Sequence, residues 1–183
     1  FALYGEQAAS NRVRLGQYKE ELYSSGFELK INSLLINDYI VALSNKTSPP
    51  FLKLLLSFLK RIKLLLFSQE YDLLIVHCEL FPFLPGWVEQ LLLRKPYIYD
   101  FDDAFYLKYS TGKYKLLKPF LGSKFKRIIK NASFITAGNK NLANYAKKYN
   151  SNVIILPSVV DTNIYYKKNR EPNICFTLGW IGS

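Results

Sequence analysis

Residues 72–77 read Asp-Leu-Leu-Ile-Val-His, followed directly by Cys78-Glu79. A short, continuous apolar run closed by polar residues is the pattern of a strand covered on both faces, as in a parallel sheet between helices. Similar runs occur at Tyr97–Phe101, Ser133–Ala137 and Val153–Leu156, and Phe1–Tyr4 reads as the tail of another strand. Phe27–Leu35 alternates in part and is also assigned to a strand. Helical stretches lie between them. Asn11 is placed to cap a helix that carries Val13, Tyr18 and Leu22 and stops at Gly26. Pro49-Pro50 opens a helix running to about Phe67. Further helices are expected at Pro85–Arg94, across the basic stretch 115–131, and at Asn139–Tyr149. The alternation predicts an α/β fold, a Rossmann-like doubly wound parallel sheet with right-handed crossovers and helices on both faces. Ligands of such a sheet bind at the carboxyl ends of its strands.

The composition agrees. Of 183 residues, 49% are hydrophobic and 21% charged, which excludes a disordered chain. The length suits one domain. No uninterrupted apolar stretch reaches the roughly 18–20 residues of a membrane span, and no signal-peptide pattern opens the chain. Cys78 and Cys175 lie in apolar runs far apart, as expected for buried free thiols of a reducing compartment. With a single histidine, His77, they do not make a structural zinc site. The chain has no Met, opens on Phe1-Ala-Leu-Tyr, and ends at Ser183 just after the strand-like run Cys175–Trp180. These ends lead us to expect a piece of a longer protein.

The net charge of +11 is unevenly spread. Residues 1–103 hold 11 basic and 12 acidic side chains, whereas residues 104–183 hold 14 and 2. A polyanion, an anionic membrane or a phosphorylated substrate would be drawn to such a surface. On a helix over 51–67, Lys53, Ser57, Lys60, Arg61 and Lys63 fall within an arc of about 160°, with Leu and Phe filling the rest. Two readings stand: a core-packing helix with a solvated basic face, or a helix seated on an anionic membrane. The stretch Lys108–Lys130, interleaved with Tyr109, Tyr114, Phe120 and Phe125, invites a nucleic-acid reading. Carboxylates at the strand ends would repel phosphates and no nucleic-acid motif is present, so no nucleic-acid partner is expected.

The candidate site residues follow the strands. Gly5 after Phe1–Tyr4 would let a ligand approach the backbone, and Arg12 and Arg14 carry fixed charge suited to phosphate or carboxylate. They are equally readable as a plain strand-to-helix turn with solvated arginines. The G-x-G-x-x-G dinucleotide fingerprint is absent. Glu79 stands where a strand releases into a cleft, or else is a surface carboxylate paired with a lysine. His77 is expected to end its strand as a hydrogen-bonded, partly buried imidazole. Asp100-Phe-Asp-Asp103 is the sharpest signal: three carboxylates in four residues repel one another unless donors, a metal or a substrate compensate. In an extended segment Asp100 and Asp102 point to one side and Asp103 to the other. The alternative is an acidic cap on the turn Ala104–Tyr109. Asn139 is a ligand contact or simply a helix N-cap.

Taken in order, these pieces resemble a known family. Ser10-Asn-Arg-Val-Arg14, Ile75-Val-His-Cys-Glu79, Tyr97-Ile-Tyr-Asp-Phe-Asp-Asp-Ala104, Thr136-Ala-Gly-Asn139, Leu156-Pro-Ser158 and Gly179-Trp-Ile-Gly-Ser183 look like the N-terminal half of a family-4 (group 1) glycosyltransferase with the two-domain GT-B fold. The resemblance implies an acceptor-side domain over 1–160, an interdomain connection over 161–172, and over 173–183 the first strand and glycine turn of a donor-binding domain that breaks off there. It implies retaining transfer from a nucleotide-sugar to a hydroxyl of a glycan or lipid-linked acceptor, in synthesis of a bacterial surface glycan. No cofactor or metal is expected. The implied location is cytoplasmic, free or held at the inner face of the cell membrane. Asp102 and Asp103 would line the cleft and orient the reacting groups, and Glu79 would contact acceptor. Gly5 and Arg12 would face the donor phosphates, and Gly182 and Ser183 would lie on the donor side. Many relatives have a His-Asp pair where this chain has Asp102-Asp103, so the usual role of that histidine does not pass to Asp102.

Overall fold

A computed structural model describes residues 1–163, 166, 175, 178 and 179. The apolar runs become parallel strands. Strand β3 (Leu74–His77) pairs with β4 (Tyr97–Phe101), β4 with β5 (Phe134–Ala137), and β5 with β6 (Val153–Ile155). A second parallel pair joins β1 (Ala2–Tyr4) to β2 (Ser33–Leu35). Phe1 stitches the two together: its nitrogen donates to the Ile75 carbonyl at 2.6 Å, and the His77 amide donates to the Phe1 carbonyl at 2.9 Å. The strands therefore run in the order β2-β1-β3-β4-β5-β6, and the direction of winding reverses between β1 and β3. This is a Rossmann-like α/β fold with a parallel sheet flanked by helices, and the reversal marks the crevice where such sheets bind ligands.

The helices are α1 (Ala9–Arg14), α2 (Lys19–Ser24), α3 (Asn37–Ser44), α4 (Phe51–Leu66), α5 (Gly86–Leu92), α6 (Lys118–Leu121), α7 (Lys124–Asn131) and α8 (Lys140–Ala146). Helix α4 touches α5, and α5 touches α7, so these form one layer. The core between layer and sheet holds Leu65, Val76, Tyr97, Tyr99, Phe101, Phe125, Ile128 and Ile135, all buried.

Several expected boundaries move. Asn11 does not cap a helix: Ala8 does, and Asn11 is buried inside α1, donating to the Tyr4 carbonyl and to Ser33 Oγ. Gly26 does end the α2 stretch, with φ +86°. The strand expected at Phe27–Leu35 is reduced to Ser33–Leu35, the part that finds a partner in β1. The basic stretch 115–131 is broken into a 3-10 turn, α6 and α7, since Pro119 in the first turn of α6 has no N–H to continue an earlier helix. Of the four aromatics interleaved in Lys108–Lys130, Tyr109 and Phe125 belong to the core and cannot stack on bases. Cys78 is buried as expected, but Cys175 is exposed. Gly182 and Ser183, with most of the segment 161–183, lie outside the described residues. No described helix is long and apolar enough to cross a membrane.

The largest correction concerns α4. Arg61, expected on a solvated basic face, is fully buried. Its guanidinium donates to Asn32 Oδ1 (2.9 Å) and to the carbonyls of Asn32 (2.7 Å), Ala2 (2.6 Å) and Leu80 (2.9 Å). Its plane also lies over the Phe1 ring. Burial pulls its pKa down to about 9, with Glu89 opposing, so it stays charged at neutral pH. One rigid fork thus ties α4 to β1, to the turn before β2 and to the loop after β3.

Arg61→Met should cost about 3 kcal/mol or more, because three carbonyls and an amide oxygen lose their donor in the core. Arg61→Lys should fall between, since one ammonium cannot span all four acceptors. Thermal unfolding of the three proteins checks this, and a Met variant as stable as wild type would refute the clamp.

Candidate active site

Four strand ends are locked side by side. The Cys78 amide donates to the Asp100 carbonyl (2.8 Å), the Gly138 amide to that of Phe101 (2.9 Å), and the Leu156 amide to that of Ala137 (2.8 Å). In this register His77, Asp100 and Thr136 are direct partners across β3, β4 and β5 and share one face. Asp100 is the hub. It accepts from Arg14 Nε (3.1 Å) and Nη2, from His77 Nδ1 (2.7 Å) and from the Thr136 hydroxyl. Arg14 Nη1 goes on to the Leu156 carbonyl. Burial alone would raise the Asp100 pKa, but hydrogen bonds from His77 and Arg14 outweigh it and hold the carboxyl below its ordinary value. For Arg14, burial opposes the charge and the Asp100 pair more than restores it. Arg14 and Asp100 are therefore partners of each other, and both are buried. Neither is free to take a phosphate or a sugar.

His77 is more deeply buried than its expected place at a strand end suggests. With Nδ1 on Asp100, its Nε2 faces Cys78 Sγ at 3.1 Å, within hydrogen-bonding distance. Cys78 adopts φ +65°, a conformation rare for a residue with a side chain. Burial first, then Asp102, Asp100 and Asp103, hold the thiol well above its usual pKa. A chain Cys–His–Asp is present, but the sulfur keeps its proton and is no thiolate nucleophile. His77, Cys78 and Asp102 also place ligand atoms within 4.8 Å of one another, the one such grouping among the described residues. Its close N–S contact is that of a hydrogen bond, and the Arg14 guanidinium is held against the same Asp100.

Asp102 and Asp103 differ from Asp100. Asp102 is partly exposed at the end of β4; Oδ2 lies 3.5 Å from the Ser158 hydroxyl, while Oδ1 is buried without any partner. Asp103 is exposed, and its carbonyl rather than its carboxylate accepts from the Phe105 amide. Gly138 lies against Asp102 so tightly that a Cβ would fall 2.8 Å from Asp102 Cα. The strand end of β5 is thus the floor on which Asp102 rests, with Ser158 beyond β6 at its side.

Glu79 does not open into a cleft. It is fully buried, accepting at Oε1 from Tyr109 Oη (2.6 Å) and Lys124 Nζ (2.7 Å), with Lys108 on Oε2. Lys124 is fully buried too, and pairs in addition with Glu89 at 2.9 Å. The Phe81 amide donates to the same Glu89 oxygen. Burial, against the pull of Lys124, raises the Glu89 pKa to about 7. This cluster joins the loop after β3 to α5 and α7. It depends on Gly86, where a Cβ would come 2.9 Å from the Lys124 backbone. Glu79 does pair with lysines, as one of its two readings held, but inside the molecule. Nothing in the sequence marks Lys124 among its equally basic neighbours.

The remaining candidates sit at the rim. Gly5 is buried, and the space its missing Cβ leaves is taken by the Asn37 side chain of α3, not by an open ligand path. Arg12 is exposed but turns back on the Glu6 and Gln7 carbonyls of its own loop. Asn139 is the N-cap of α8, accepting from the Leu142 amide at 3.0 Å. The structure thus brings Arg14, His77, Cys78, Asp100 and Asp102 into one cluster and separates Glu79 from it. Comparisons with protein-family models, curated proteins and solved structures find no match.

Two buried carboxyls should leave opposite marks on stability. The Asp100 carboxyl is lowered in the folded chain, so its contribution is present above pH 3.8 and lost as pH falls through the lower folded value. Asp100→Asn should cost about 3 kcal/mol or more at neutral pH and shallow that acid limb. The Glu89 carboxyl is raised from 4.5 to about 7, so its contribution is complete below pH 4.5 and disappears as pH rises through about 7. Glu89→Gln should flatten the melting temperature across that window. Unchanged slopes in both variants would show that these carboxyls do not set the pH profile.

Proposed function

We propose that this chain is the acceptor-side domain of a retaining glycosyltransferase that moves a sugar from a nucleotide-sugar to a hydroxyl of a glycan or lipid-linked acceptor. One observation carries the reading. At the carboxyl edge of the sheet, Asp102 keeps a buried carboxylate oxygen unpartnered beside exposed Asp103, while every other carboxylate at these strand ends is consumed by buried cations. A carboxylate in that state is ready to accept a hydrogen bond from a substrate hydroxyl, as carbohydrate binding requires. The ordered motifs from Ser10 to Ser183 supply the reaction class. In this reading Asp102 and Asp103 orient the acceptor hydroxyl toward the anomeric carbon. The new C–O bond forms as the bond to the leaving phosphate breaks, and the hydroxyl proton passes to that phosphate. Asp102 acts by position and charge, and no side chain is assigned as a nucleophile.

Two contributions are kept apart by this scheme. The row Arg14–Asp100–His77–Cys78 fixes the strand ends without touching substrate, and Gly138 sets the height of Asp102. Donor binding is assigned to a further domain, of which residues 173–183 would be the beginning. The GT-B architecture is part of the proposal.

In a polypeptide that carries this chain with its donor-binding domain, Asp102→Asn and Asp103→Asn should each lower kcat for sugar transfer by roughly 100-fold, with unfolding temperatures near wild type. Gly138→Ala should lower kcat as well, by shifting the Asp102 backbone. The chain alone should turn over no nucleotide-sugar. Transfer at wild-type rates in both Asp variants, or turnover by the isolated chain, would overturn the assignment.

A further inference from the structure

Helix α4 is rotated from the setting its composition suggests, with Arg61 turned inward and a row of leucines turned outward. Arg61, Leu65, Leu54 and Phe58 face the sheet. At 100° per residue the opposite, outer half carries Leu52, Leu55, Leu56 and Leu59, which are 67%, 43%, 56% and 53% exposed. Leu66 and Phe67 continue the same surface at the C-terminal end. On the neighbouring helix α5, Trp87 and Leu91, one turn apart, are also more than half exposed. Scattered surface leucines need no explanation, but a row of them along a whole helix does.

The charges on this helix identify what covers the row. Lys53, Lys60 and Lys63 are exposed on the same outer half, and no acidic residue occurs between Lys46 and Phe67. Lys53 finds Asp38 at 2.5 Å, whereas Lys60 and Lys63 meet no carboxylate among the described residues. A second copy of this chain docked face to face would set Lys60 and Lys63 against each other, and the one acid paired with this helix, Asp38, is already taken by Lys53. A lipid surface fits both features at once. Leucines and a tryptophan enter the boundary between headgroups and acyl chains, and lysines extend their stems to reach anionic headgroups.

We infer that α4 is an interfacial helix, seating the domain on an anionic membrane through its outer leucine row. At 16 residues it is about 24 Å long, and with three exposed lysines it lies in the surface rather than across it. As the crossover between parallel strands β2 and β3, α4 runs antiparallel to the sheet, with its Phe51 end toward the strand carboxyl ends. Seated in this way it lays the strands along the membrane, and the edge bearing Asp102 opens sideways, within reach of a molecule anchored in the same bilayer. The inference does not rest on the glycosyl-transfer reading, and it is measured without any sugar.

The test is co-sedimentation of the chain with vesicles of phosphatidylcholine alone and of phosphatidylcholine mixed with phosphatidylglycerol. Binding should be at least about tenfold tighter to the mixed vesicles and weaken as salt is raised. The double variant Leu55→Gln/Leu59→Gln should lose binding by about tenfold or more, and Lys60→Gln/Lys63→Gln by a similar factor. All four side chains are exposed, so circular dichroism and melting temperature should stay at wild type; if the leucine pair disturbs folding, the lysine pair decides. Equal binding to both vesicle types, or none to either, overturns the inference. So does self-association in sedimentation velocity that the leucine pair abolishes while vesicle binding stays absent.

Discussion

His77, Asp100 and Thr136 stand on one rung of the parallel sheet, and the rest of the molecule is hung from that rung. Adjacent strands lie about 4.8 Å apart, so three side chains on the same face of successive strands meet within hydrogen-bonding range. Arg14 comes down on them from α1 and carries the connection to the Leu156 carbonyl beyond β6. A single carboxylate thus bears on β3, β4, β5, the end of β6 and the first helix. Sliding β4 by one residue would carry Asp100 to the opposite face and leave Arg14 buried without a partner. An apolar sheet gives little preference among registers. A buried ion pair, although its net worth in stability is small, penalises every wrong one.

The same device recurs twice. Arg61 holds α4 against the β1–β2 side through neutral acceptors alone, and Lys124 holds α5 and α7 through Glu79 and Glu89. Each cation reaches a place where loops between elements expose carbonyls or carboxylates that secondary structure leaves unpaired. Part of the chain's basic excess therefore lies inside the domain, joining elements. This weakens any argument that treats the net charge of +11 as surface charge waiting for a polyanion.

The strands were legible in the sequence because a doubly covered strand is apolar at every position, a pattern independent of partners. Tyr97–Phe101 agrees to the residue, and Leu74–His77 within two residues. The same-side placement of Asp100 and Asp102 was legible as well, since alternation is a local property. What local reading could not reach was which half of α4 faces inward. A helical wheel gives angles between side chains but not which of them turn inward, and Arg61 is buried while Lys53, Lys60 and Lys63 stay exposed. The choice was made by acceptors on β1, near β2 and after β3, none of them close in sequence to Arg61. The burial of Glu79 was out of reach for the same reason: its partners Tyr109 and Lys124 lie 30 and 45 residues away. Position after a strand indicated where Glu79 would emerge, but not that a helix would close over it.

Removing every charge the fold uses for itself isolates the functional candidates more sharply than motif spacing does. Asp100 is neutralised by Arg14, and Glu79 by Lys124 and Lys108. Glu89 also leaves an oxygen unpartnered, but it is on the buried face of α5 with Lys124 against it, and its raised pKa lets it carry a proton near neutrality. Asp102 forms no ion pair among the described residues. Its one side-chain hydrogen-bond partner among the described residues is a hydroxyl at the limit of hydrogen bonding, and Gly138 keeps its backbone pressed into the strand ends where its oxygen is shielded from water. A desolvated acceptor of this kind costs stability of about 1–3 kcal/mol, and a domain that satisfies nearly all its other buried carboxylates has means to avoid it. The cost is consistent with a hydrogen bond completed only when a substrate hydroxyl arrives. Asp103 follows Asp102 in the same bend after β4 with its side chain exposed, next to the same proposed ligand. In the proposed reading the two neighbouring aspartates would both contact a sugar, which would give orientation as well as affinity.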